Sequence, residues 1–256
     1  MIEVALSIQF SPIQGFHLAY VGEFRQSFLP DLSETSDQPP LEHIVEPMPG
    51  SFSFHFMGQA MFPRVWFHDP ANTKLVQIQQ DRLIWNWRKG NPEDQYPRFE
   101  PIFGSLSGAF DQFERFLMAK GLEAPQIDQC ELTYVNVISS AAHYAGVQDT
   151  PRLFSFVSST DRGDFLPVAE NVTFQLRYVI TGEDNVPRGR LYIEGSPIIE
   201  VGTGRPAFML KLVARGAPIG DGFSGASDFL HLGREWIVRG FTDITSKEMH
   251  DYWERQ

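Results

Sequence analysis

Residues 75–90 read LVQIQQDRLIWNWRKG, residues 105–121 read SLSGAFDQFERFLMAKG, and residues 129–138 read QCELTYVNVI. The first stretch alternates on both sides of Asp81, so residues 75–80 are expected to pair with residues 82–88 through a tight connection. In the second, Leu106, Phe110, Phe113, Phe116 and Leu117 recur at helical spacing, Ser105 or Ser107 offers a cap, and Gly121 offers a stop. The third alternates again as a return strand. Successive strand side chains point to opposite faces, which places Leu83, Trp85 and Trp87 on one side and Ile84, Asn86 and Arg88 on the other. On the return strand, Glu131 and Thr133 oppose Leu132, Tyr134 and Asn136. The expectation is that these two strands are sheet neighbours roofed by the Phe-lined helix, with Arg88 and Glu131 forming a charge-assisted pair.

The same habit extends in both directions. Val4, Leu6, Ile8 and Phe10 share one face of an opening strand that ends before Pro12, and residues 16–29 carry Tyr20, Phe24 and Phe28 at helical spacing up to Pro30. Residues 33–50, with four prolines and several acids, read as a loop. Phe52, Phe54 and Phe56 predict a strand over residues 51–57, and residues 65–69 predict another. In the second half Val172, Phe174, Leu176, Tyr178 and Ile180 form one strand face. TGEDNVPRG (181–189) turns the chain into a strand through Leu191 and Ile193, and Phe208, Leu210 and Leu212 make a further strand. A helix capped by Ser227 or Asp228 follows through Phe229, Leu232, Trp236 and Ile237, and Ser246 caps a last short one. Strands followed by one long helix, twice over, predict an α+β protein of two βα-type halves, 1–145 and 146–256, divided in the polar stretch 140–164 or fused into one domain. The sheet is expected to be largely antiparallel, with long helices packed on one face.

Composition bounds the partners. Hydrophobic residues at 42% and 22 Phe supply a large, ring-rich core, which excludes a largely disordered chain. A formal charge of -11 repels polyphosphate at long range, so duplex DNA is a poor partner. The lone Cys130 excludes an internal disulfide and a multi-thiolate metal site, and its strand position reads as a small core filler. MIEVALSIQF has no basic leader region, and no window reaches the roughly 18–20 apolar residues of a membrane span. The expected location is the cytoplasm, with no membrane association.

Chemistry is sparse. The histidines are scattered without metal-ligand spacing, so no metal is expected, and His55 between two phenylalanines carries no special role. Neither GTGRP nor GDGFSG contains GxxxxGK[ST]; GDGFSG has the spacing GxGxxG but not the clean preceding strand and following acid of a βαβ unit, so its glycines are read as flexible turns, and no GxSxG elbow occurs. No cofactor is expected. Trp85 and Trp87 are expected under the helix. Exposed, they would form a stacking platform beside Arg82, Arg88 and Lys89.

The string WFHDPANTKLVQIQQDRLIWNWRKGNPEDQYPRFEPI (66–102), followed after a helix by CELTYVN (130–136), resembles a sporadically distributed family of bacterial and archaeal proteins of similar length. That family shares a DRxxxNWR…YPRYE stretch and a CELTYxN strand. The matching residues are Gln77, Gln79, Asp81, Arg82, Asn86, Trp87, Arg88, Tyr96, Pro97, Arg98, Glu100, Cys130, Glu131, Leu132, Thr133, Tyr134 and Asn136, and Phe99 departs from the expected Tyr. The resemblance covers roughly residues 62–140. It implies no activity, cofactor or catalytic residue, but it singles out polar positions on strands and strand ends.

The resulting candidate ligand-binding residues are Asn86, Arg88, Arg98, Glu100, Glu131 and Asn136. The functional expectation is a non-enzymatic binding or adaptor protein with a protein partner, an accessory of a bacterial conflict or defence system. One alternative is an enzyme or small-ligand binder with a polar pocket between the 82–88 and 131–138 strands. The other is a single-stranded nucleic-acid binder.

Overall fold

The protein is described from a computed structural model, in which residues 1–46, 62–139, 143–158 and 165–253 are defined. Among the described residues the alternating segments become nine strands: β1 (Glu3–Phe10), β2 (Glu34–Gln38), β3 (Arg64–His68), β4 (Lys74–Gln79), β5 (Arg82–Arg88), β6 (Ile127–Ile138), β7 (Phe174–Thr181), β8 (Pro187–Ile199) and β9 (Pro206–Gly216). They form a single antiparallel sheet in the order β2-β3-β4-β5-β1-β6-β9-β8-β7. The helices are α1 (Leu18–Phe24), α2 (Phe99–Ala119), α3 (Thr150–Leu153), α4 (Gly222–Ile244) and α5 (Lys247–Tyr252), which makes the fold α+β.

Burial follows the pleat. One face of β1 carries Val4, Leu6, Ile8 and Phe10, all fully buried. Register sets Leu6 between Trp85 of β5 and Leu132 of β6, and Ile8 between Leu83 and Cys130. Phe110 and Phe113 of α2 and Phe229 and Leu230 of α4 join the same continuous cluster. Phe113 sits among the rings of Phe10, Phe16, Phe24 and Phe110 at centroid distances of 5.3–6.4 Å, within the range of favourable aromatic pairs. α2 packs on β5, while α4 packs on β6, β9 and β8.

Several expectations need correction. β5 and β6 belong to the same sheet but are not neighbours, because the opening strand β1 pairs with both. α2 begins at Phe99 rather than near Ser105. Pro101 lies in its first turn, where its missing N–H leaves no hydrogen bond unmade, and Glu100 suits the positive end of the helix. The Ser105 hydroxyl donates back to the Pro101 carbonyl within the helix. α4 likewise begins at Gly222, earlier than Ser227. A Cβ at Gly225 would sit 2.3 Å from the Gly220 carbonyl oxygen, so glycine there lets the preceding turn fold onto the helix start. The loop expected over 33–50 contains an edge strand, β2, paired with β3. The strand expected over 51–57 and His55 lie outside the described residues. Ser246 does cap α5, accepting from the Met249 N–H at 3.2 Å.

Candidate functional site

The inserted strand β1 decides where the polar residues go. Asn86 and Arg88 turn to the side of the sheet away from the Phe cluster, where both meet Glu3. The Glu3 carboxylate accepts from Asn86 Nδ2 at 2.5 Å and from Arg88 Nε at 3.2 Å. Asn86 also accepts from Gln77, Gln77 accepts from Arg64 and Trp66, and the Arg88 guanidinium lies 4.6 Å over the Trp66 ring. Glu131 sits on the same side but across β1 and four residues along it, opposite Ser7 where Arg88 is opposite Glu3, and its carboxylate takes Arg215 at 2.6 Å. Arg88 and Glu131 therefore do not pair. Each has a partner on the strand beside it.

Further along this side, three glutamine amides carry the backbone of a crossing segment, residues 39–46. Gln79 exchanges two hydrogen bonds with Leu41, Gln9 exchanges two with Ile44, and Gln129 accepts from the Glu46 N–H. A primary amide offers both donor and acceptor, so each glutamine imitates a neighbouring strand. The segment is latched by His43, whose Nδ1 lies 2.7 Å from Asp81 and whose Nε2 lies 3.2 Å from Asp128. Hydrogen bonds to Asp128 and then Asp81 raise the His43 pKa to about 9 against the opposing effect of burial. Burial alone would push Asp81 up, yet the His43 hydrogen bond and the Arg82 charge hold it below the usual carboxylate range. Both imidazole nitrogens and both Asp81 oxygens are engaged, which makes this cluster a clamp with no free base to offer a substrate.

The other side of the sheet holds the cavity. It encloses about 390 Å³, within the range of small-ligand sites, and is lined by the far end of β6, the start of α2, one face of α4 and Trp253. Its floor is apolar, with Phe99, Ile138, Leu212, Ile237 and Phe241. Its polar wall combines Arg98, Asn136, Arg234 and the hydroxyls of Tyr96 and Tyr134, which lie 2.9 Å apart. Burial pushes both tyrosines above the usual phenol range, so both stay protonated. One hydroxyl donates to the other, and the second proton is left for a ligand. Among the described residues neither Arg98 nor Arg234 has a carboxylate partner, and Arg234 lies 5.7 Å over the Phe99 ring.

Arg98 has φ 76° and ψ 171°, a region that disfavours any side chain. The adjacent start of α2 holds it there, and strain of this kind concentrates at binding sites. No family model, curated protein or solved structure matches this chain.

Of the six residues singled out by the sequence, the cavity gathers Arg98 and Asn136. Glu100 lies beside the α2 start but is exposed and faces His231 at 3.7 Å. Asn86, Arg88 and Glu131 occupy the opposite side of the sheet. Sequence reasoning missed Tyr96, Tyr134, Arg234, Phe241 and Trp253 as cavity residues, and His43 and Asp128 as the clamp. Tyr96 and Tyr134 were within reach because they belong to the YPRFE and CELTYVN strings. Arg234 carries no such signal, since its helix reads as an ordinary amphipathic one. Trp87 is 8% exposed and packs 5.5 Å from the Tyr96 ring, so it offers no open stacking surface. Among the described residues no cluster could hold a metal ion, and no helix is long and apolar enough to cross a membrane.

Proposed function

We propose that this is a binding protein whose ligand is a small amphipathic anion, held in the cavity between β6, α2 and α4. The observation that carries this reading is a pair of guanidiniums, Arg98 and Arg234, without a carboxylate partner among the described residues, beside a protonated tyrosine pair at the rim of an apolar floor. A carboxylate or phosphate would take the two arginines and the free tyrosine proton, Asn136 would orient a neighbouring polar group, and an apolar body would cover Ile237 and Phe241. Tyrosines raised above the usual phenol range are donors and not bases, which supports binding over catalysis.

The test compares 2-naphthoate with its neutral counterpart 2-naphthamide by calorimetry. Naphthoate is expected to bind at least tenfold tighter. Arg98→Gln with Arg234→Gln should weaken it by about 10–100-fold, as expected for charge-assisted bonds of about 1.5–3 kcal/mol. Equal affinity for the two compounds, or no effect of the double substitution, would refute the reading.

Membership of the sporadically distributed family is likewise a proposal, supported by the DRLIWNWR, YPRFE and CELTYVN strings. An accessory role in a conflict or defence system rests on that resemblance alone. The sheet order supports two halves divided between α2 and β6 rather than at 145/146, since β6 (Ile127–Ile138) then opens the second half. In each half the first strand pairs with the last, β1 with β5 and β6 with β9, and the two first strands pair with each other. In each half, too, a long helix follows the last strand and packs on the apolar side.

A further inference from the structure

A second concavity, of about 550 Å³, opens on the opposite flank of α4 from the arginine cavity. α4 packs on β6, β9 and β8 and leaves the outermost strand β7 at the margin, so the apolar side of β7 and β8 is only partly roofed. Leu191 and Ile193 form its floor, Leu232 and Trp236 of α4 form one wall, and Tyr178, 43% exposed, stands opposite. Gly240 brings α4 down onto β8, since a Cβ there would lie 2.9 Å from Leu191 Cδ2. The wall residues 232, 236, 239, 240 and 243 recur at helical spacing, so a single helix face runs the length of the groove, about 16 Å at 1.5 Å per residue.

The rim is acidic. Glu183 from the β7–β8 turn and Asp243 from α4 face the groove with no ion-pair partner among the described residues, and Glu235 is already neutralised by Arg239 at 2.7 Å. An apolar trough edged by two unpaired carboxylates matches the underside of an amphipathic helix with lysine or arginine on its flanks. It does not match the acidic surface of a second copy of this chain, whose formal charge is -11.

We propose that this groove docks a basic amphipathic helix of about three turns from a partner protein. The docking residues, Trp236, Leu232, Glu183 and Asp243, are separate from those of the arginine cavity, and the proposal stands or falls without it.

The test uses the full chain and an amidated 14-residue leucine–lysine peptide with leucines at i, i+3, i+4 and i+7. Binding should move the Trp236 indole N–H resonance, and Glu183→Lys with Asp243→Lys should weaken it at least tenfold. The charge-matched control Glu93→Lys with Glu123→Lys, at exposed sites elsewhere, should change it less than twofold. The proposal is overturned if both double variants weaken the peptide equally, if a peptide with serines in place of leucines binds as well, or if Trp236 is unmoved. Self-association of the free chain that Trp236→Ala abolishes would also overturn it, by assigning the groove to a second copy.

Discussion

At the scale of single residues, Arg98 combines backbone strain with a charge that has no carboxylate partner among the described residues. Arg98→Gly relieves the strain and removes the charge. It is expected to raise the melting temperature, corresponding to about 1 kcal/mol, while reducing naphthoate affinity at least tenfold. Thermal melts and calorimetry on the same preparation read both effects, and a loss of stability would remove strain from the account. His43 makes a prediction of opposite chemistry. Its pKa in the folded state is raised from 6.5 to about 9, so its contribution is complete below 6.5 and disappears as the pH climbs through 9. Asp81, held low, adds a contribution present above the ordinary carboxylate range and lost in acid. The melting temperature of wild type should therefore exceed that of His43→Gln most at pH 5–6.5, by a difference on the order of 2 kcal/mol, and converge with it by pH 10. A constant offset across that range would show that the clamp is not ionic.

At the scale of elements, α2 is held by rings and α4 by the absence of side chains beneath it. Phe113→Ala removes a fully buried ring in contact with four others and should cost about 3–5 kcal/mol in chemical denaturation. Under α4, Gly189 of β8 and Gly216 of β9 are register partners, and a Cβ on either would sit 2.9 Å or less from the Phe229 ring. The paired glycines open the slot that Phe229 fills. Gly216→Val should displace that ring and lift α4 from the sheet, with a loss of near-ultraviolet circular dichroism that Phe229→Ala reproduces. Both α2 and α4 were legible as helices because their apolar residues recur at helical spacing. Their starts were misplaced by several residues, because serines inside a helix look like caps until the backbone shows where the first free N–H groups lie.

At the scale of the whole molecule, the sheet is joined at β1 and β6, whose registered pair Leu6 and Leu132 is fully buried. Leu132→Ala should cost about 2–5 kcal/mol and lower one cooperative calorimetric transition. Two resolved transitions would show instead that the halves unfold independently. Residue order alone was enough for the α+β class, for most strand and helix segments apart from β2 and the starts of α2 and α4, and for the polarity of the strand faces, because pleat and helix periodicities are local. Only the tertiary structure decided which faces meet. Insertion of β1 between β5 and β6 separated Arg88 from Glu131, the return of α4 brought Arg234 to Arg98, and the crossing of residues 39–46 placed His43 on Asp81. Strand order and long-range crossings arise from burying one shared apolar surface, a condition on the entire chain that no short window of residues expresses.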